Sequence, residues 1–352
     1  MFCSVNGFST VDSAIPILQD AVKIVTPLVL SQNPNPKVGP RNRKSWTKEH
    51  REEAERNVIL ASSLDHLTRL MQEAHAGGTC QEGSYIKVPQ SIRKDKTVKI
   101  DGVQGDFIAV VTNEASDLVK NRLAHIQEIL EDISPDDFEP CNSKEHGFAF
   151  DSVHFDTYNC YAEKGDGSPA GVHPHFIYKE QQGNANHTQR ATYFSKAVKD
   201  NPEQFDAITT ALRDICKVVC ETLQMQMPDD FNHLRVFCEI LPLNQCPATY
   251  PFPGFVLNIN VCTDAHVDAN DDRICVVIPF GPHKGGELVL YEAGLVLQLC
   301  EGDILIFPSC HITHFNLHFV GVCGSIVMHS DKEVKSWNAN RNSWNGHMIV
   351  KR

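Results

Sequence analysis

The sequence predicts an α+β fold, with helices and scattered short strands ahead of a β-sandwich or barrel in the last third. Three observations predict it. Apolar residues recur at helical spacing around 115–133 and 201–225. From residue 234 onward, eight short β-rich runs follow one another, separated by Gly, Pro, Asp and Asn. The chain of 352 residues is 41% hydrophobic and 22% charged, enough apolar material for one large domain or two smaller ones.

Charge and cysteine content narrow the class. The formal net charge of -12 argues against a protein that grips nucleic acid mainly through phosphates, although a local basic patch is compatible with it. Most of the 13 cysteines sit inside apolar runs, without a CxxC pair, as reduced thiols of an intracellular protein do. The N-terminus lacks the basic flank and uninterrupted apolar run of a secretory leader. A cytoplasmic or nuclear location is the expectation, with no membrane span.

Taken in order, 14-AIPILQDAVKIVTPLVL-30 reads as an amphipathic helix, because Gln19, Asp20, Lys23 and Pro27 interrupt it. A Pro-rich basic linker follows, carrying Lys37, Arg41, Arg43, Lys44 and Lys48. Ser45 or Thr47 is expected to cap one helix running to residue 76, which stops at Gly77-Gly78. Short strands are expected over 84–112, a helix over 115–133, strand material over 147–162, a polar loop over 164–190, and a helix over 201–225. The eight later strand segments are 234–243, 254–261, 273–281, 286–292, 295–300, 303–308, 314–321 and 324–331.

The candidate chemistry lies among these strands. In 262-CTDAHVDANDDRICVVIPF-280, His266 and Asp268 stand one residue apart. Alone that triplet means little, and His154-Phe155-Asp156 is another that reads as ordinary strand. Downstream, 302-GDILIFPSCHITHF-315 turns at Gly302-Asp303, runs through a buried strand and reaches His311 and His314. If His266 and Asp268 end one strand and His314 begins another in the same barrel, two imidazoles and one carboxylate converge on a metal. Three coordination positions stay open, the arrangement that suits non-haem Fe(II) and oxygen chemistry.

With 285-GGELVLYE-292, 302-GDILIFPS-309 and 324-GSIV-327 in the same order, the last third resembles the Fe(II)/2-oxoglutarate dioxygenases. Within that superfamily it is most similar to the fungal TET/JBP-type oxygenases, some of which hydroxylate methylated bases. The resemblance implies a double-stranded β-helix (jelly-roll, cupin-like) core flanked by N-terminal helices. It divides the chain into a helical region with basic linker (1–145), an oxygenase domain (146–331) and a tail (332–352). It also implies His266, Asp268 and His314 as iron ligands, with His311 a loop or neighbouring histidine. His318 and His329 are expected at exposed or core-edge positions. The implied reaction couples oxidative decarboxylation of 2-oxoglutarate to hydroxylation of a C–H bond, on a modified nucleobase or a small molecule.

One position departs from the pattern. The family places an arginine shortly after the distal histidine, where its planar fork pairs with the far carboxylate of 2-oxoglutarate. Here that position is Cys323. A buried carboxylate without a cation loses several kcal/mol, about a hundredfold in binding. Three readings stay open. Arg235 or Arg273, on neighbouring strands, takes the role; a different co-substrate or oxidant is used; or the protein is a degenerate metal- or ligand-binding module. Ser325 matches the family position that hydrogen-bonds the same carboxylate. Asn258 and Asn260 face one way on a strict strand, as a pocket wall or as satisfied core amides.

Overall fold

The computed structural model describes residues 16–30, 41–81, 83–145, 151–156, 196–240 and 247–332. The expected polar loop over 164–190 lies outside them, as does nearly all of the 332–352 tail. In chain order the first elements are β1 (Val22–Thr26), α1 (Arg43–Arg56), β2 (Val58–Leu60), α2 (Leu64–Ala74), β3 (Tyr85–Val88), β4 (Thr97–Gly102), β5 (Phe107–Thr112) and α3 (Ser116–Ile133). Next come β6 (Cys141–Asn142), β7 (Asp151–Asp156), α4 (Lys196–Asp200), α5 (Pro202–Gln226) and α6 (Pro228–Ile240). The remaining strands are β8 (Gly254–Ile259), β9 (Cys275–Phe280), β10 (His283–Gly285), β11 (Leu288–Leu290), β12 (Leu295–Leu297), β13 (Ile304–Phe307), β14 (His314–Asn316), β15 (Phe319–Gly321) and β16 (Gly324–His329).

Two sheets share the central core. The larger has eight strands in the order β1-β4-β5-β13-β9-β16-β8-β7, and the smaller has five, β14-β11-β12-β3-β2. Cys275, Leu305 and Phe307 of the large sheet pack with Leu288, Leu290, Leu295 and Leu297 of the small one. Because strand side chains alternate, the other face of the large sheet is apolar too. Ile278, Ile306, Ile326 and Met328 there meet Val119, Leu123 and Ile126 of α3 and Ile208, Leu212, Ile215 and Val219 of α5. Leu123 and Ile126 of α3 and Ile208, Leu212, Ile215 and Val219 of α5 belong to the helical spacing read from the sequence, whereas Val119 does not. Gly302, at φ +94, makes the turn into β13, and a Cβ there would lie 2.3 Å from Ser116 Oγ, so only glycine fits.

The structure corrects the sequence expectations at several elements. The segment 14–30 contains a strand: β1 alternates with Ile24 and Thr26 buried, and pairs in parallel with β4. Its β-branched run outweighs a helical pattern spread over interrupted residues. The single helix to residue 76 is two, because Val58–Leu60 pairs in parallel with β3, and Ser63 then caps α2 by accepting from His66 N at 3.1 Å. Residue 42, not 45 or 47, precedes the first turn of α1, and Thr47 is buried within the helix. Residues 234–240 belong to α6, where Pro228 opens the helix and Phe231, Leu234 and Cys238 share its buried face. Of the eight late strand segments, the first that is a strand is therefore the one at β8. The expected strand 314–321 is divided between the small sheet and a third sheet, β10-β15-β6. Among the strands before residue 145, β1, β4 and β5 lie in the eight-stranded sheet and β2 and β3 in the five-stranded one.

Candidate metal centre

Three backbone segments bring His266, Asp268 and His314 together. After β8, Asn260 adopts a left-handed conformation (φ +54), which asparagine tolerates, and redirects the chain. The following stretch is not a regular strand, but His266 and His314 exchange both backbone hydrogen bonds, at 3.1 and 2.9 Å. Asp268 N donates to Ser309 O at 3.1 Å. His314 opens β14, opposite Leu290 of β11. All three candidate ligand residues are thereby fixed through main-chain bonds.

The side chains complete a ligand set. His266 Nδ1 lies 2.7 Å from Asp264 O, and His314 Nδ1 lies 3.0 Å from Ile312 O. A carbonyl only accepts, so each Nδ1 carries the hydrogen and each Nε2 is the atom turned to the site. His314 Nε2 lies 3.4 Å from one Asp268 carboxylate oxygen and His266 Nε2 lies 3.7 Å from the other. One ligand atom from each residue lies within 4.8 Å of the other two. The imidazoles are 4.2 Å apart at their centroids, and the edge of Phe307 closes against His314 at 4.9 Å. Two neutral nitrogens and a carboxylate on one face are a donor set that fits a divalent iron and leaves sites for exogenous ligands.

The electrostatics of the cluster follow from burial and proximity. Burial, then His314, pulls His266 down to about 4. Burial also opposes protonation of His314, but the hydrogen bond to Asp268 and that carboxylate's charge outweigh it and raise the group. Burial would raise Asp268, but the same hydrogen bond and the two imidazoles hold it below the ordinary carboxylate range. Protonation of His314 and binding of a cation at its Nε2 therefore compete.

A further polar group borders the triad. Ser309 donates to Asp271 Oδ2 at 2.7 Å, and His329 Nδ1 lies 3.6 Å from Asp271 Oδ1. Burial pushes Asp271 up to about 6, with His329 acting against it. On the other side, Glu292, 3% exposed, accepts from both the backbone N and the hydroxyl of Thr313 at 2.7 Å, immediately before His314. Burial pushes Glu292 up to about 7. Sequence reasoning missed Asp271, Glu292 and the role of His329. The signals were thin: an acidic run after Asp268 and a histidine closing β16. His311, by contrast, is exposed on the turn, and His318 bonds Ser143 Oγ at 3.0 Å, away from the triad.

The residues expected around 2-oxoglutarate are not gathered into one anchor. Cys323 is 5% exposed, packed against Cys262 and Phe319, and burial pushes its thiol up to about 12, so it is neutral at pH 7. Ser325 pairs across the sheet with Asn258, whose amide donates to it at 3.3 Å. Asn260 does not share that wall: it donates to Asp137 O at 2.9 Å and accepts from Cys323 N at 3.3 Å. The strand-borne cations expected there are on other elements. Arg235 is exposed on α6, and Arg273 sits at a bend before β9, paired with Asp230 at 3.0 Å. The residues present fit iron. At the arginine position they supply a neutral thiol, which does not fit the distal carboxylate.

No protein-family model matches the chain, and no curated protein matches it. Several solved structures are similar to it at low sequence identity. NgTET1 in complex with 5mC DNA aligns at 13% identity over 84% of this chain and 93% of that one, with a TM-score of 0.49. A Pseudomonas putida prolyl-4-hydroxylase aligns at 11% identity over 64% and 92%, with a TM-score of 0.30. A 2OG-Fe(II) oxygenase family oxidoreductase from Burkholderia pseudomallei shares 23% identity over 22% of this chain and 41% of its own, with a TM-score of 0.21. With identities of 11–23% and TM-scores below 0.5, the functional reading rests on the side chains themselves. No helix among the described residues is long and apolar enough to cross a membrane.

Proposed function

We propose that the chain is a non-haem Fe(II) oxygenase of the 2-oxoglutarate-dependent kind that hydroxylates a C–H bond, with its two sheets forming a double-stranded β-helix. The observation that carries this is the convergence of His266, Asp268 and His314, each imidazole oriented by a carbonyl two residues before it. When bound there, Fe(II) supplies activation of dioxygen. The chain's own contribution is to hold two imidazole nitrogens and a carboxylate in place and to pack Phe307 against His314.

The substrate we propose is a modified nucleobase or a small molecule, with the nucleobase favoured by one local feature. Arg43, in the first turn of α1, lies close enough to help lower His266. A cation this close to His266 would favour an anionic substrate locally despite the net charge of -12. A cytoplasmic or nuclear location goes with this reading.

Cys323 specifically favours a second reading, a metal- or ligand-binding module without turnover. Succinate formation separates the two. With Fe(II), 2-oxoglutarate and oxygen but no substrate, an oxygenase forms succinate slowly, and Cys323→Arg is expected to lower the 2-oxoglutarate concentration needed for half-maximal rate by about tenfold or more, as a paired carboxylate gains over an unpaired one. Absence of succinate from both proteins would leave the binding module.

A further inference from the structure

Arg51 is an arginine buried where no ligand is expected. It lies on α1 and is 3% exposed. Its guanidinium reaches two segments far apart in sequence. Nε donates to Asn316 O at 2.7 Å, Nη2 donates to Thr263 O at 2.6 Å, and Nη1 lies 3.4 Å from Asp264 Oδ1. Asn316 is two residues after His314. Thr263 and Asp264 lead into His266, and Asp264 O is the carbonyl that orients the His266 ring.

The same helix holds the His266 segment at a second point. Ala265 N donates to Thr47 Oγ1 at 3.0 Å, and the Thr47 hydroxyl donates to Arg43 O at 2.7 Å. Asn316 strengthens the join by accepting from Thr263 N at 3.3 Å and Thr263 Oγ1 at 2.9 Å. Only a planar fork meets this geometry: two carbonyls and a carboxylate lie in different directions, and a lysine ammonium at the end of one stem cannot span them.

We infer that Arg51 is a positioning residue for the metal centre, clamping the two histidine-bearing segments to each other through α1. This rests on the reading of His266, Asp268 and His314 as metal ligands. It assigns a task to the first helix that the resemblance leaves without one. The separation of the two imidazoles is then set by one guanidinium as well as by the backbone pair between residues 266 and 314.

A purely structural Arg51 would stabilise the fold without changing how tightly each folded molecule holds a metal. The test is titration of the full-length protein with Co(II), following both affinity and the visible d–d spectrum, in wild type, Arg51→Met, Arg51→Lys and Arg93→Met. Arg93 is the control. It is also buried, at 1% exposure, but bonds Gln298 O and Asp303 beside β13, away from the ligands. The expected result is Co(II) affinity about ten- to a hundredfold weaker in both Arg51 variants, the range seen when groups that orient ligands are removed, with an altered spectrum. Arg93→Met is expected to lose stability and keep the wild-type affinity and spectrum. Should Arg51→Met fail to fold, Arg51→Lys decides. Wild-type affinity and spectrum in a folded Arg51 variant overturn the inference while the metal site stands. No Co(II) binding by the wild type overturns the metal site and this inference with it.

Discussion

The chemistry at the residue scale turns on one proton. His314 is raised because Asp268 faces its Nε2, whereas burial and His314 together bring His266 down to about 4. A divalent cation needs both nitrogens unprotonated. The sign is therefore fixed: a proton competes with metal below the raised pKa of His314 and is absent above it. Metal affinity is expected to be flat in the alkaline range and to weaken by about tenfold per pH unit as pH falls through the His314 pKa. His266 adds a second proton only near pH 4. Calorimetric Co(II) titrations across that range check this, and affinity that stays constant down to pH 5 would show that no such competition exists. The triad itself is legible in the sequence, because the one-residue spacing of His266 and Asp268 and a histidine after a buried strand are local marks. Arg51 is not, since nothing local tells a helix arginine that reaches two carbonyls from one that faces water.

Elements were legible where period and length agree. The helices α3 and α5 carry long apolar stripes whose buried members pack on the large sheet, and the strands from β8 to β16 are bounded by turn residues. Elements were missed where a short apolar run fits two periods. Val22–Thr26 and Val58–Leu60 are too short to show their period, and parallel partners, β4 and β3, settle them. The run in α6 is apolar enough for a strand, but Pro228 and the acidic Asp229 and Asp230 start a helix before it. β13 shows what an element contributes to the site. It lies between β5 and β9, and it carries Phe307 to His314. Leu305, fully buried between the two sheets, is expected to cost about 2–5 kcal/mol on change to alanine. Denaturant unfolding measures this. A loss under about 1 kcal/mol would mean that the core collapses around the gap and is less rigid than its packing indicates.

Across the whole molecule, the pairing of early strands with late ones is the feature the sequence conceals. β4 and β5 extend the sheet that contains β13, and β3 extends the one that contains β12, so early strands and late strands form one core. Pairing over such separations leaves no local trace in composition. α1 then closes over the smaller sheet, where Trp46 meets Tyr291 and Phe315. One structure thus joins the first helix, both sheets and the three ligands. Its central claim is that His266, Asp268 and His314 hold one iron. The most direct measurement is an anaerobic Fe(II) titration of the wild type, His266→Ala and Asp268→Ala, with circular dichroism to confirm folding. The account predicts one equivalent of iron in the wild type, and none held tightly by either folded variant. Full stoichiometry in both variants would contradict it.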